Sequence, residues 1–363
     1  MMEMTKETLS GLRHEDFRSE FDGCSTRLYV LRNETGMEVC LTNLGGIVLS
    51  VMVPDRDGNM ENVVLGADSL EMARILARDW YIGALIGPVA GRILDGKFRV
   101  KGKDFALPLN SVPNTLHSGA AGFHTVIWEA KQSAENSVCL SYRYKDGEAG
   151  FPGNMDISVT FTVTDDNALR IDYHATADSP TLFCPTHHGY FNLDGIKKPM
   201  SSIENHQIEI DSDFYLPTDV NTNHTGEILR VEGTPFDFRK MRTIGERIGE
   251  NHIQLQYGKG YDHVFVLRKR EHKELTHAAR LKSLHTGRVM DVITSEIGIV
   301  MYTGNYLDGV VGMDDAVYTH RCALCLETQC FPDAPNNLHF PSVELLPGNV
   351  YSQTCIYKFS TEP

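Results

Sequence analysis

Apolar and polar residues alternate along much of this chain. In Ile157-Ser-Val-Thr-Phe-Thr-Val-Thr164, the side chains of Ile157, Val159, Phe161 and Val163 fall on one side and hydroxyls fall on the other. Val138, Leu140, Tyr142 and Tyr144 alternate in the same way, as do Leu169, Ile171, Tyr173 and Ala175. A period of two is that of a half-buried β-strand. Turn clusters such as Pro54-Asp-Arg-Asp-Gly58, Lys145-Asp-Gly147 and Asp165-Asp-Asn167 punctuate these runs. Short strands with such turns predict an antiparallel, all-β sandwich or barrel-like architecture. Helical periodicity is scarce and predicts short helices at residues 69–77 and 241–248. With no fixed-period repeat and no linker, the pattern predicts one domain over residues 1–363, with residues 1–24 as a peripheral N-terminal extension.

Composition narrows the function classes. A chain of 363 residues can bury a substantial core, and its 41% hydrophobic and 23% charged residues are globular values. The formal net charge of -14 argues against nucleic acid, whose phosphates require a basic patch. No Gly-x-Gly-x-x-Gly follows a strand and no P-loop is present, so nucleotide cofactors lack support. The longest apolar stretch, residues 81–90, is broken by glycine and proline and falls short of the ~20 residues of a membrane span. Residues 1–20 are polar and mixed in charge, without the apolar centre of a signal peptide, so a cytoplasmic location is expected. The eight cysteines are scattered. Cys322 and Cys325 have CxxC spacing, but they lie in an apolar run with no second pair. That pattern predicts buried free thiols and no metal site.

Four places put polar groups where a β-core has no need of them. Glu327 ends the apolar run Arg321-Cys-Ala-Leu-Cys-Leu-Glu327, where desolvation raises a carboxyl pKa and makes a stronger base; the structural alternative is an arginine-paired strand end. In Cys184-Pro-Thr-His187-His188, neighbours on a strand point to opposite faces. One histidine is thus available for acid–base work and the other is structural. His117, in Asn114-Thr-Leu-His117-Ser-Gly119, sits in a turn and can donate to a ligand oxygen or cap the turn. Asp262, before an apolar run, and Arg92, after a glycine-rich one, are candidate partners for hydroxyls, with surface salt bridges as the plainer explanation. Together these are two imidazoles, two carboxylates and a guanidinium on a β-scaffold without a cofactor motif. Such a set suits proton transfer on an uncharged polyhydroxylated substrate.

From about residue 28 to residue 359 the chain resembles the aldose 1-epimerase (galactose mutarotase) family. The resemblance rests on Val53-Pro-Asp-Arg-Asp-Gly58, Tyr81-Ile-Gly-Ala-Leu-Ile-Gly87, Ala90-Gly-Arg-Ile93, Asn114-Thr-Leu-His117 and His188-Gly-Tyr-Phe-Asn-Leu193. It continues through Gly260-Tyr-Asp-His263, Tyr302-Thr-Gly-Asn-Tyr-Leu307 and Cys325-Leu-Glu-Thr-Gln329 with Pro332-Asp-Ala334. It implies a large antiparallel β-sandwich (a supersandwich) with an open sugar cleft. It implies Glu327 as general base, His188 as general acid, and His117, Arg92 and Asp262 as sugar contacts. No metal or organic cofactor is implied. The expected partner is a free monosaccharide such as galactose or glucose, met by a monomer or homodimer. Departures from the family pattern are Gly91 for asparagine, Pro88 for arginine, His187 for asparagine and Ser118 for glycine. A sugar-contacting glutamine is matched by Glu296, which is expected near the acid–base pair. That pair is expected to start as carboxylate and imidazolium, held so by mutual attraction. A hexose-6-phosphate 1-epimerase, a non-catalytic sugar-binding protein and a glycoside hydrolase are the competing functions. Pro88 and the acidic balance weigh against the first, the retained acid–base pair against the second and the histidines against the third.

Overall fold

The computed structural model describes residues 8–21, 23–271 and 273–363. Alternation becomes sheet as expected. Met155–Thr164 buries Met155, Ile157, Val159, Phe161 and Val163 and pairs along its whole length with Ala168–Ala177. These two strands lie inside an antiparallel nine-stranded sheet. Its order is Glu129–Ala134, Ser137–Tyr144, Met155–Thr164, Ala168–Ala177, Tyr351–Thr361, Arg288–Thr294, Thr276–Lys282, Gln207–Ile210 and Arg242–Thr243. Burying each large apolar side chain contributes about 1.5–3 kcal/mol, so register is set by the apolar face.

A six-stranded sheet carries the site. Its order is Tyr190–Phe191, Leu324–Gln329, Gly298–Tyr302, Asp262–Leu267, Ser212–Leu216 and Leu229–Arg230. The nine-stranded sheet backs it. Tyr357 packs its ring 4.9 Å from that of Phe191 and donates its hydroxyl to the Leu326 carbonyl, while Gln353 Nε2 donates to the Thr328 carbonyl. Leu324–Gln329 is therefore buried on both faces. A four-stranded sheet of Leu28–Arg32, Glu38–Thr42, Val48–Pro54 and Met60–Asn62 adjoins it, with the Leu65 N–H donating to the Tyr190 carbonyl.

Two helices are α-helical among the described residues. Leu70–Trp80 fulfils the first helical expectation: Ser69 caps its N-terminus and Leu70, Ala73, Leu76 and Ala77 form the buried stripe. The second expectation, a helix at 241–248, is corrected. Arg242–Thr243 pairs instead with Gln207 and Ile208, and only Ile244–Glu246 makes a 3-10 turn. The short helix Ile253–Gly258, capped by His252, was not anticipated.

In the described part of residues 1–24, expected to be peripheral, Thr8, Leu12 and Phe17 are buried and the other residues are exposed or half-buried. Phe17 is fully buried in a cluster with Leu28, Cys40 and Leu49, and the Leu9 N–H donates to Glu38 Oε1. Residues 1–7 and 22 lie outside the described residues. All eight cysteines are free thiols; Cys322 and Cys325 are buried, as expected. Among the described residues no helix is long and apolar enough to cross a membrane.

Candidate active site

Pairing register assembles the cleft. Glu327 pairs with Val300, and Val300 with Val264, so these three form one row across three strands. Two residues along, Asp262 pairs with Tyr302, and Tyr302 with Cys325, which pairs with Tyr190. Because side chains alternate, both rows project to the same face. Glu327, Val300, Val264, Asp262, Tyr302 and Tyr190 all line one cavity of about 280 Å³.

Loops supply the rest. His188 follows the strand Thr186–His187; its N–H donates to the Ala84 carbonyl, and its own carbonyl accepts from the Gly83 N–H. Its ring stacks on Tyr190 at 5.0 Å, and Tyr81 lies 6.0 Å away on a near-parallel plane. Tyr81 reaches this place because it ends the helix Leu70–Trp80 in a left-handed conformation, φ 60°. His187 points the other way, 6.1 Å from the Phe161 ring. The opposite-face expectation for the two histidines therefore holds.

His117 follows Thr115–Leu116, which pairs with Arg92–Ile93. The Gly91 N–H donates to His117 Nδ1 at 3.2 Å, so Nε2 carries the proton and is the nitrogen free to donate. Ser118, at φ 65°, closes the turn by accepting from the Val89 N–H and donating to the Val89 carbonyl. Arg92 lines the cleft, and its charge acts on both Glu327 and Asp262.

His188 Nε2 lies 3.6 Å from Glu327 Oε1. Burial governs this pair, and mutual attraction does not: Glu327 is pushed well above the usual carboxylate range, first by desolvation and then by Asp262, with Arg92 opposing. His188 is pushed down to about 3, first by desolvation and then by His187. The expected carboxylate–imidazolium start is corrected accordingly: burial favours the neutral form of both groups. Asp262 is also raised by burial, and His117 is lowered by burial and by His188.

Glu296 is the second correction. It lies before the strand Gly298–Tyr302, in a separate cavity with Phe183, Cys330 and Tyr351, and it accepts from the Tyr351 hydroxyl at 2.9 Å. Its charge acts on Tyr351, Tyr173, Cys184 and Lys269. Sequence reasoning missed Tyr81, Tyr190, Tyr302, His224 and Gln329, all of which line the cleft. Gln329 was findable, since it stands two residues after Glu327 on one strand. Nothing in residues 217–229 marked His224.

The donor atoms of His117, His188 and Glu327 lie within 4.8 Å of one another, a set that is also able to ligate a divalent cation. As buried neutral groups beside a carboxyl and a guanidinium, they form an acid–base cleft on a β-sandwich, the class of a carbohydrate isomerase.

Comparison with known proteins agrees. The aldose 1-epimerase family model matches residues 27–358, and the chain belongs to that family. Galactose mutarotase from Rattus norvegicus is 40% identical over 339 residues, covering 93% of this chain and 95% of the rat protein. Aldose 1-epimerase from Escherichia coli K12 is 35% identical, covering 94% and 97%. A solved aldose epimerase homologue from C. elegans superposes with a TM-score of 0.85 at 31% identity, covering 93% of this chain and all of the other.

Proposed function

We propose that the protein interconverts the α and β anomers of a free aldohexose such as galactose or glucose, with Glu327 as base and His188 as acid. The observation that carries this reading is the 3.6 Å approach of His188 Nε2 to Glu327 Oε1 on the wall of the cleft. The two oxygens of a hemiacetal share one carbon, so their acid and base must stand side by side. The proton of the neutral pair first passes from Glu327 to His188; Glu327 then takes the proton of the anomeric hydroxyl while His188 gives one to the ring oxygen. The ring C–O bond breaks, the O–H electron pair becomes the carbonyl bond, and an open aldehyde forms. Rotation about C1–C2 presents the other carbonyl face. His188 then removes the proton from the chain hydroxyl as it attacks C1, and Glu327 returns its proton to the carbonyl oxygen.

The pair holds one proton throughout. While the sugar is open, that proton is on Glu327 and His188 is neutral, the arrangement that burial favours. Desolvation therefore works toward the ring-opened state, which lies nearest the barrier. His117, with its Nε2–H, is placed to polarise the developing carbonyl. Arg92 and Asp262 are placed to hold hydroxyls. Among the described residues Arg92 is the only arginine or lysine lining the cavity, against Asp79, Asp262 and Glu327, which favours an uncharged sugar over a sugar phosphate. Eight free thiols fit the reducing cytoplasm.

Polarimetry on freshly dissolved α-galactose, beside glucose 6-phosphate and in the presence and absence of EDTA, tests the reading. Fast mutarotation of the free sugar, unaffected by EDTA, is expected. Activity confined to the phosphate, or lost with the chelator, would sink it.

A further inference from the structure

Two cleft residues outside this proton-transfer scheme have unmet hydrogen-bonding capacity. Gln329 is 1% exposed, and neither its Nε2 nor its Oε1 has a partner among the described residues. Buried glutamines elsewhere are engaged: Gln254 bonds the N–H and carbonyl of Thr218, and Gln353 bonds the Thr328 carbonyl and the Tyr351 hydroxyl. His224 lies in the loop after Ser212–Leu216, and among the described residues both its ring nitrogens are buried without a partner. Folded proteins seldom leave buried polar atoms unpaired unless something outside the chain pairs them. Here the amide and the imidazole line one cavity.

Gly91 explains why no described side chain covers the amide. At φ 79° its missing Cβ would lie 3.5 Å from Gln329 Nε2 and 2.8 Å from Pro332. No side chain projects there, and Gln329 is left facing the cavity. His224 stands near Arg92 on the same wall. Burial and that guanidinium push it down to about 3, so it is a neutral ring with one donor and one acceptor.

Resting on the epimerase reading, we propose that Gln329 and His224 are specificity-determining residues that hydrogen-bond sugar hydroxyls away from the anomeric carbon. A neutral amide and a neutral imidazole can each both give and take a hydrogen bond. A hydroxyl does both as well, whereas a phosphate or carboxylate would set its oxygens against the acceptor atoms. The substrate class is thus a sugar whose hydroxyls are free in this part of the cleft. A site built around such bonds rejects the analogue lacking the hydroxyl, because its own groups are then left unpaired.

The test uses the full chain, with the variants Gln329→Leu and His224→Phe. Polarimetric kcat and KM are measured on galactose and on its 2-, 3-, 4- and 6-deoxy analogues, beside thermal melts. Wild type should discriminate against at least one deoxy sugar by about tenfold or more. One variant should lose that discrimination through a higher KM for galactose, with kcat and the pH profile little changed. The ligand-free melting temperature of Gln329→Leu should not fall, since the substitution removes unpaired buried atoms. Unchanged KM and deoxy ranking in both variants, with wild type active on galactose, would overturn the assignment and leave the epimerase reading standing. A lower melting temperature with uniform kcat loss would make the residues structural and also overturn it. No turnover of any free hexose by wild type would overturn both.

Discussion

His188 Nε2 and Glu327 Oε1 stand 3.6 Å apart at 6% and 3% side-chain exposure, close enough to share one substrate but beyond a normal hydrogen bond. An ion pair this buried would lose more in desolvation than its attraction returns unless further hydrogen bonds supported it. The pair therefore rests neutral, and its catalytic charge arises when the shared proton passes from Glu327 to His188 before the ring opens.

Removing either group should stop turnover without unfolding the chain. Glu327→Gln and His188→Asn are each expected to lower kcat by about 10²- to 10⁴-fold, and the double variant by much less than the product. Stopped-flow or manual polarimetry with circular dichroism as a folding control checks this. Near-normal turnover in Glu327→Gln would remove it as the base.

Glu296→Gln should leave the pH–rate profile superimposable on wild type. The Glu296 carboxylate accepts from Tyr351, and its charge acts on residues around that second cavity. A displaced pH optimum in the variant would return Glu296 to the cleft.

Stability should fall between about pH 6.5 and pH 4. His124, His187 and His206 are pushed down to about 4, and His188, His224 and His263 to about 3, from an ordinary 6.5, chiefly by burial. Below 6.5 the unfolded chain binds protons that the native state refuses, so each such histidine costs up to about 1.4 kcal/mol per pH unit as pH drops. Glu327 and Asp262 have raised values and act with the opposite sign, losing stability as pH rises above the unfolded carboxyl range. The histidines outnumber them. Thermal unfolding at pH 7 and pH 5 should show a lower midpoint at pH 5, and equal midpoints would contradict the burial argument.

Ser118→Gly poses two effects against each other. Glycine relieves a left-handed residue at φ 65°, a gain of about 1–2 kcal/mol. It also deletes a buried hydroxyl that serves both the N–H and the carbonyl of Val89, and leaving a buried group unpaired costs about 1–3 kcal/mol. With two bonds lost, the expected outcome is a net loss of about 1 kcal/mol, read from denaturant unfolding, with KM raised because the turn holds His117.

Much of this architecture is legible in the chain because period-two runs such as residues 155–164 bury one face only. The ambiguous stretch was 241–248, where Met241, Ile244 and Ile248 mimic helical spacing while Arg242 and Thr243 extend a sheet edge through pairing with residues 207 and 208. That partner is distant in sequence and leaves no local trace. For the site, the family resemblance named Glu327, His188, His117, Arg92 and Asp262, and all five meet in one cavity. Glu296 misled because position in a motif does not fix direction. It precedes its strand, and its N–H is turned onto Thr294 Oγ1. Tyr81 depended on a helix end and His224 on a loop path, neither of which residue type reveals.

One consequence follows from how the His188 ring is held. Among the described residues its Nδ1 is buried without a partner, and aromatic rings fix its plane by stacking. A carboxylate behind the ring would anchor one tautomer and bias the imidazole toward cation, as suits an enzyme that drives chemistry one way. An imidazole clamped by ring faces alone has no such ratchet. Burial favours its neutral form whichever anomer is bound, so it treats the two alike, which is what a catalyst needs when substrate and product differ only in the orientation of one hydroxyl.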